Sequence, residues 1–180
     1  PDQIIDKTCK RPNTMYDEVV THVGLASPFH PMLREVLLEA TQAEEITVHD
    51  GGTYVAMEGP AFSTRAESHM HRAWGANLIG MTAMPEAKLA REAEMCYATL
   101  ALVTDYDCWH EDEDDVSVVN VVEIVQANAA RAKRTVAELA GNLPDPRQSI
   151  AHGALQHAVL TDRSTISEET KRHLSWLIDL

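Results

Sequence analysis

The chain is poor in basic residues, in cysteine, and in glycine and proline. Against 28 Asp and Glu stand only 15 Lys and Arg, a net charge of −13 over 180 residues. Binding to a phosphate backbone needs a basic footprint, so recognition of nucleic acid by bulk electrostatics is excluded. An anionic membrane surface is disfavoured for the same reason. No apolar run approaches the roughly 18 residues of a membrane span. The opening Pro1-Asp2-Gln3-Ile4-Ile5-Asp6 has no basic stretch followed by an apolar core, so no signal peptide is expected. With 8 Gly and 8 Pro, low-complexity disorder is excluded. Cys9, Cys96 and Cys108 are odd in number and lack CxxC spacing, which fits free thiols in a reducing cytoplasm better than a disulfide scaffold or zinc ribbon. The common nucleotide-loop, nucleophile-elbow and zinc-protease motifs are also missing. There is no initiator Met, and a strand-like segment comes at once, so the chain reads as the interior of a longer protein.

What is present alternates between strand and helix. Ile4-Ile5, His22 to Ala26, Thr53 to Met57, Asn77 to Met81 and Tyr97 to Thr104 read as strands. The last, YATLALVT, is the strongest: a continuous apolar run suits a strand covered on both faces. Leu33, Val36, Leu37 and Ala40 recur at helical spacing behind Pro31. Thr64 and Glu67 form a capping-box pattern for a helix to about Trp74. Pro85 and Glu86 suit the first turn of a helix through Glu94. Ser117 suits the cap of a long helix to about Ala140, with Val118, Val121, Val122, Val125 and Ala129 on one face. Weaker helical stretches follow at Arg147 to Leu160 and Ser167 to Leu180. The expectation is one α/β domain over residues 1–180, with a mixed, partly parallel sheet flanked by helices.

Four segments carry candidate chemistry. Asp105 and Asp107 follow the most apolar run, and in open α/β sheets ligands bind beyond the carboxyl ends of strands. Crowded carboxylates repel, and one of a pair tends to keep a proton that it can give to a leaving group. The same two residues would equally serve to cap a strand-end turn. Met57 to Ser68 is a strand, a Gly-Pro turn and a capped helix, whose hydroxyls suit an anion or a sugar, or simply the cap. Gly80 to Glu86 repeats that layout, with Thr82 at a helix start and Met81 and Met84 suited to a core. The acidic run Glu111 to Asp115 matches no cation cage and reads as a solvated loop. His69 and His71 lie two apart on a helix and make a poor ligand pair, so no metal site is expected.

Together these segments resemble one family. The order Ile5-Asp6-Lys7-Thr8, Arg11-Pro12, His22, Ser27-Pro28-Phe29, MEGPAFSTRAES and GANLIGMTAMPEAKLAREAEMCYATLALVTDYDCW resembles the methylthioadenosine phosphorylases, within the trimeric purine nucleoside phosphorylase group. The likeness runs from the first residue to about Lys133, and the tail, residues 143–180, is less characteristic. It implies a phosphorylase-type fold and phosphorolysis of S-methyl-5′-thioadenosine to adenine and 5-methylthioribose 1-phosphate. Phosphate would be a co-substrate, with no cofactor. Asp105 would serve N7 of the leaving base and Asp107 would accept from its 6-amino group. Met81 would contact the ribose and Thr82 the phosphate. Phe62 and Ser63 would lie beside base and sugar. Val118, Val121 and Val122 would wall the methylthio group. His22 would be lent by a neighbouring subunit, which implies a homotrimer acting on nucleoside and phosphate in the cytoplasm, in purine and methionine salvage.

There are departures from the family pattern. Met15 stands where an aromatic is usual, and the loop Asp17 to Thr21 is short. The leading strands of the family, with their phosphate-binding residues, are not represented, so the chain resembles the C-terminal portion. Two other readings stay open: a related phosphorylase acting on methylthioinosine or adenosine, and a non-catalytic fragment that binds nucleoside or a partner subunit.

Overall fold

A computed structural model describes residues 1–44, 46–110, 118–143, 145 and 149–180. The sheet contains β1 (Gln3–Lys7), β2 (Thr53–Met57) and β3 (Ala76–Gly80), in that order and all parallel. Gln3 pairs with Thr53 and Lys7 with Met57, and Ala56 pairs with Gly80. In the central strand β2, Val55 and Ala56 are at 0% exposure. The helices are α1 (Pro31–Gln42), α2 (Arg65–Ala73), α3 (Ala83–Glu92), α4 (Val118–Gly141) and α5 (Glu168–Leu174). A short 3-10 turn spans Asp107–Trp109.

Local chemistry explains most of these boundaries. Pro31 opens α1, where its missing N–H costs nothing, and the His30 ring accepts from the Leu33 amide at 3.3 Å. Thr64 and Glu67 close the expected capping box on α2. Gly75, at φ +81°, turns the chain from α2 into β3. In α3 the backbone is extended at Met84, so regular helix resumes at Pro85. Tyr54, Ala56, Ala83, Met84 and Ala87 form the core beside the sheet. Gly80 is required there, because a Cβ would lie 2.0 Å from the Tyr54 hydroxyl oxygen.

A second core lies away from the sheet. Tyr16 and Val19 pack with Leu155, Ala158, Ile166 and Leu174. The tail beyond residue 143 is therefore the packing partner of the loop that carries His22. Glu92 fixes that loop, accepting from the Met15 amide at 2.6 Å and the Thr14 hydroxyl at 2.7 Å.

Several expectations need correction. Tyr97 to Thr104 forms no strand, and Leu102 and Val103 are 37% and 58% exposed. A strand needs a neighbour for its backbone groups, and this run has no ladder partner among the described residues. His22 to Ala26 is irregular: Thr21 makes a single antiparallel bridge to Val159, and Arg91 takes the Gly24 and Ser27 carbonyls. The stretch expected as helix up to Leu160 is a succession of tight turns from Ser149, in which the His152, Ala154, Gln156 and Ala158 amides each reach three residues back, with Gly153 at φ +89°. Among the described residues β3 pairs only with β2, and Asn77 on it is exposed. Within the last helical stretch, α5 is shorter than expected and is capped by Ser167. The acidic run Glu111 to Asp115 and the Ser117 cap lie outside the described residues.

Candidate active site

Three parallel strands end on one side of the molecule, at Lys7, Met57 and Gly80. The loops leaving them build the site, as open parallel sheets do. After β2, Glu58-Gly59-Pro60 turns the chain so that Phe62 is 44% exposed and Ser63 half-buried. The Ser63 hydroxyl donates to the Met57 sulfur at 3.6 Å. After β3 come Met81 and Thr82. A Cβ on Gly59 would sit 2.9 Å from the Met81 sulfur, so the bare glycine lets Met81 lie against the β2 turn. Thr82 is exposed at the N-cap position of α3, and its hydroxyl makes no capping bond. It is available to a ligand.

The carboxylate pair is linked to the β2 loop. The Cys108 thiol donates to the Ser63 carbonyl at 3.4 Å, which tethers the 3-10 turn to the β2 loop. Asp105 is exposed and accepts from the Thr104 hydroxyl and, at 2.9 Å, from the Asp107 amide. Asp107 is at φ +59°, a left-handed conformation that Asp tolerates better than most residues. The capping role weighed for Asp105 is therefore real, and it leaves the carboxylate facing solvent. Burial, and then the Asp107 carboxylate, push the Cys108 thiol up, so it stays a protonated tether.

The floor on this side is α2. Lys7 Nζ lies 3.1 Å from His71 Nε2 and 5.5 Å from the Trp74 ring centre. Burial, then Lys7, hold His71 below the ordinary histidine range. Arg72 stacks 3.5 Å over Trp109, whose ring also meets Tyr106 and His110. Among the described residues no group of three or more His, Cys, Asp or Glu could hold a metal ion.

Phe62 and Ser63 thus lie on the loop after β2, Met81 meets that loop at Gly59, and the turn carrying Asp107 is tied to it through Cys108. His22 lies apart, exposed beside an open groove lined by Thr14, Tyr16, Thr21, Lys88 and Glu92. Val122 stands 46% exposed on α4, and the side chains of Val118 and Val121 lie outside the described residues. Sequence reading missed the ion pair of Arg11 with Glu58. Both residues stand in the quoted motifs, but nothing in their spacing of 47 residues announces the pairing.

Comparison with known proteins defines the class. The Phosphorylase superfamily matches residues 1–141, and the chain belongs to that superfamily. A relative from Synechocystis, an S-methyl-5′-thioadenosine phosphorylase, is 51% identical over 99% of this chain and 56% of its own length. One of the same name from Geobacter sulfurreducens is 48% identical over 99% of this chain and 63% of its own. A methylthioadenosine phosphorylase crystal structure from an antarctic soil metagenomic library superposes with a TM-score of 0.86 at 46% identity, covering 99% of this chain and 64% of that one. An adenosine/methylthioadenosine phosphorylase variant from Schistosoma mansoni, in complex with adenine, gives 0.81 at 30% identity over 88% of this chain and 65% of that one. The chain spans between about half and two thirds of the length of these relatives. The relatives align through the tail, which lies beyond the superfamily match.

Proposed function

We propose that the protein acts in the phosphorolysis of S-methyl-5′-thioadenosine, giving adenine and 5-methylthioribose 1-phosphate. The observation that carries this reading is the pair of links that the loop after β2 makes at the carboxyl ends of the strands. There Met81 lies against Gly59, and Cys108 ties the turn that carries Asp107 to Ser63. Relatives about half identical to this chain bear the name of this activity.

In the reaction a phosphate oxygen forms a bond to the anomeric carbon as the bond from that carbon to N9 breaks. The electron pair leaves with the base. Asp105 supplies the proton that neutralises the purine at N7, and Asp107 accepts from the 6-amino group. A carboxylate suits an amino donor, which favours adenine over a 6-oxopurine. Thr82 holds phosphate with its hydroxyl, in the turn ahead of Pro85 where regular helix begins. Met81 lies along the ribose. Val118, Val121 and Val122 wall the methylthio group, and His22 serves a neighbouring subunit of a homotrimer. No cofactor enters this scheme. Its setting is purine and methionine salvage in the cytoplasm; among the described residues no helix is long and apolar enough to cross a membrane.

The test is adenine release from methylthioadenosine with and without phosphate, with inosine in parallel. Phosphate-dependent release that prefers methylthioadenosine supports the reading. Preference for inosine overturns the substrate. Adenine binding with no release from either nucleoside marks a nucleoside-binding chain without turnover. Replacing Asp105→Asn should lower kcat about 100-fold, the usual scale of general acid catalysis, while substrate affinity changes little. Equal loss in both would reduce Asp105 to a binding role.

A further inference from the structure

One guanidinium joins all three strand ends. Arg11 follows β1, and its Nε lies 3.1 and 3.0 Å from the two carboxylate oxygens of Glu58, which follows β2. Its Nη2 donates to Glu58 at 2.8 Å. Its Nη1 donates to the Met81 carbonyl at 2.6 Å and to the Met84 carbonyl at 2.7 Å. Glu58 accepts in addition from the Cys9 amide at 2.9 Å. The Arg11 hydrogen bond, then the Cys9 amide, hold the Glu58 carboxyl below its ordinary range, so the pair stays charged near neutral pH.

Nη1 gives both of its bonds to the β3–α3 turn, and that turn carries Met81 and Thr82. Thr82 makes no capping bond of its own, so its side chain does not fix the turn. The turn is shaped from outside, by Arg11 below and by the Gly59 gap against Met81. A guanidinium serves a carboxylate and two carbonyls at once because its donors lie in a fixed plane; an ammonium cannot reproduce that fork.

We infer that Arg11, held by Glu58, is the positioning residue that sets the Met81–Thr82 turn for phosphate, an inference that rests on the function proposed above. It touches no substrate and acts through the two carbonyls. Arg34 supplies a matched control. It also bridges a carbonyl and a carboxylate, Pro1 at 2.8 Å and Asp50 at 2.5 Å, but before β1 and β2, at the other end of the sheet.

The experiment compares Arg11→Met, Arg11→Lys and Arg34→Met in the 180-residue chain. Each is read by KM for phosphate, KM for methylthioadenosine, kcat, and amide exchange of Met81 to Ala83. Arg11→Met should raise the phosphate KM about tenfold or more, the size of losing a charge-assisted hydrogen bond, with a smaller change in the nucleoside KM. Arg11→Lys should keep the melting temperature closer to the parent and still show the phosphate defect. Exchange at Met81 to Ala83 should quicken about tenfold while Ala56 stays protected. Arg34→Met should leave both KM values unchanged. A phosphate KM in Arg11→Lys equal to the parent's overturns the inference, as does exchange that quickens equally at Ala56. Should the parent release no adenine, the proposed function fails there, and the exchange measurement alone decides the role of Arg11. Unchanged exchange at Met81 to Ala83 then overturns it.

Discussion

β2 and the run Tyr97 to Thr104 are both short, apolar and rich in residues that favour strands, yet they end in opposite states. Thr53–Met57 lies between two parallel neighbours, and Val55 and Ala56 lose all contact with water. Tyr97 is anchored: its carbonyl accepts from the His30 amide at 2.7 Å, and its ring stacks on Phe29 at 5.9 Å. Beyond it the run pairs with nothing among the described residues, and Val103 stands more than half exposed. Apolarity says that a segment seeks cover. Strand formation needs a partner whose N–H and C=O groups are free on the correct side, and that is decided by the rest of the chain.

Substitutions can break this contrast. Val55→Asp should cost about 4 kcal/mol, because an unpaired carboxylate would be buried in the centre of the sheet. A denaturant melt would show it, and a loss below about 1 kcal/mol would place β2 nearer solvent than its burial indicates. Gly80→Ala should cost about 2 kcal/mol by forcing the Tyr54 ring off the β2–β3 pair. Wild-type stability in that variant would mean that the ring moves aside freely.

The pH dependence sharpens the contrast more gently. Burial, then Arg91, lower the His30 pKa, and burial, then Lys7, lower that of His71. Lowered folded-state values mean that the unfolded chain binds more protons below about pH 6.5. Both histidines therefore contribute stability above that pH and lose it as pH falls through their folded values. For Asp6, burial acts to raise the pKa, but hydrogen bonds from Lys88 and Thr8 outweigh it and the net shift is downward. Its contribution is present above about pH 4 and disappears below. A melting temperature that stays level from pH 7 to pH 5 would contradict the histidine contribution. The smallest effect should come from Val103→Asp, within about 0.5 kcal/mol in this chain. A loss as large as that of Val55→Asp would show that the run is covered in solution.

Much of the site was legible because its signals are local. The capping box from Thr64 to Glu67, the Pro85 helix start and the Gly-Pro turn after Met57 each act within a few residues. They put Ser63 and Thr82 at helix starts beyond strand ends before any contact is known. The resemblance added the roles of Asp105 and Asp107, and geometry added the tether through Cys108. The Arg11 clamp was hidden because it spans 47 residues to Glu58 and 70 to Met81. The tail was misjudged for a related reason. Arg147 to Leu160 has helical composition, but Gly153 and the Ser149 hydroxyl, which accepts from the Ala151 amide at 3.0 Å, divert the backbone from Ser149 onward into turns.

The sequence by itself determined the starts of α1, α2, α3 and α5, the three strands of the sheet, the net negative charge and the kinship with the phosphorylases. These depend on residue type and short spacing, where steric and capping forces act. The tertiary structure alone decided that Tyr97 to Thr104 has no ladder partner among the described residues. It also decided that the tail covers the His22 loop, and that one arginine ties three strand ends together. Those outcomes depend on which distant groups meet, and no local pattern of residues carries that information.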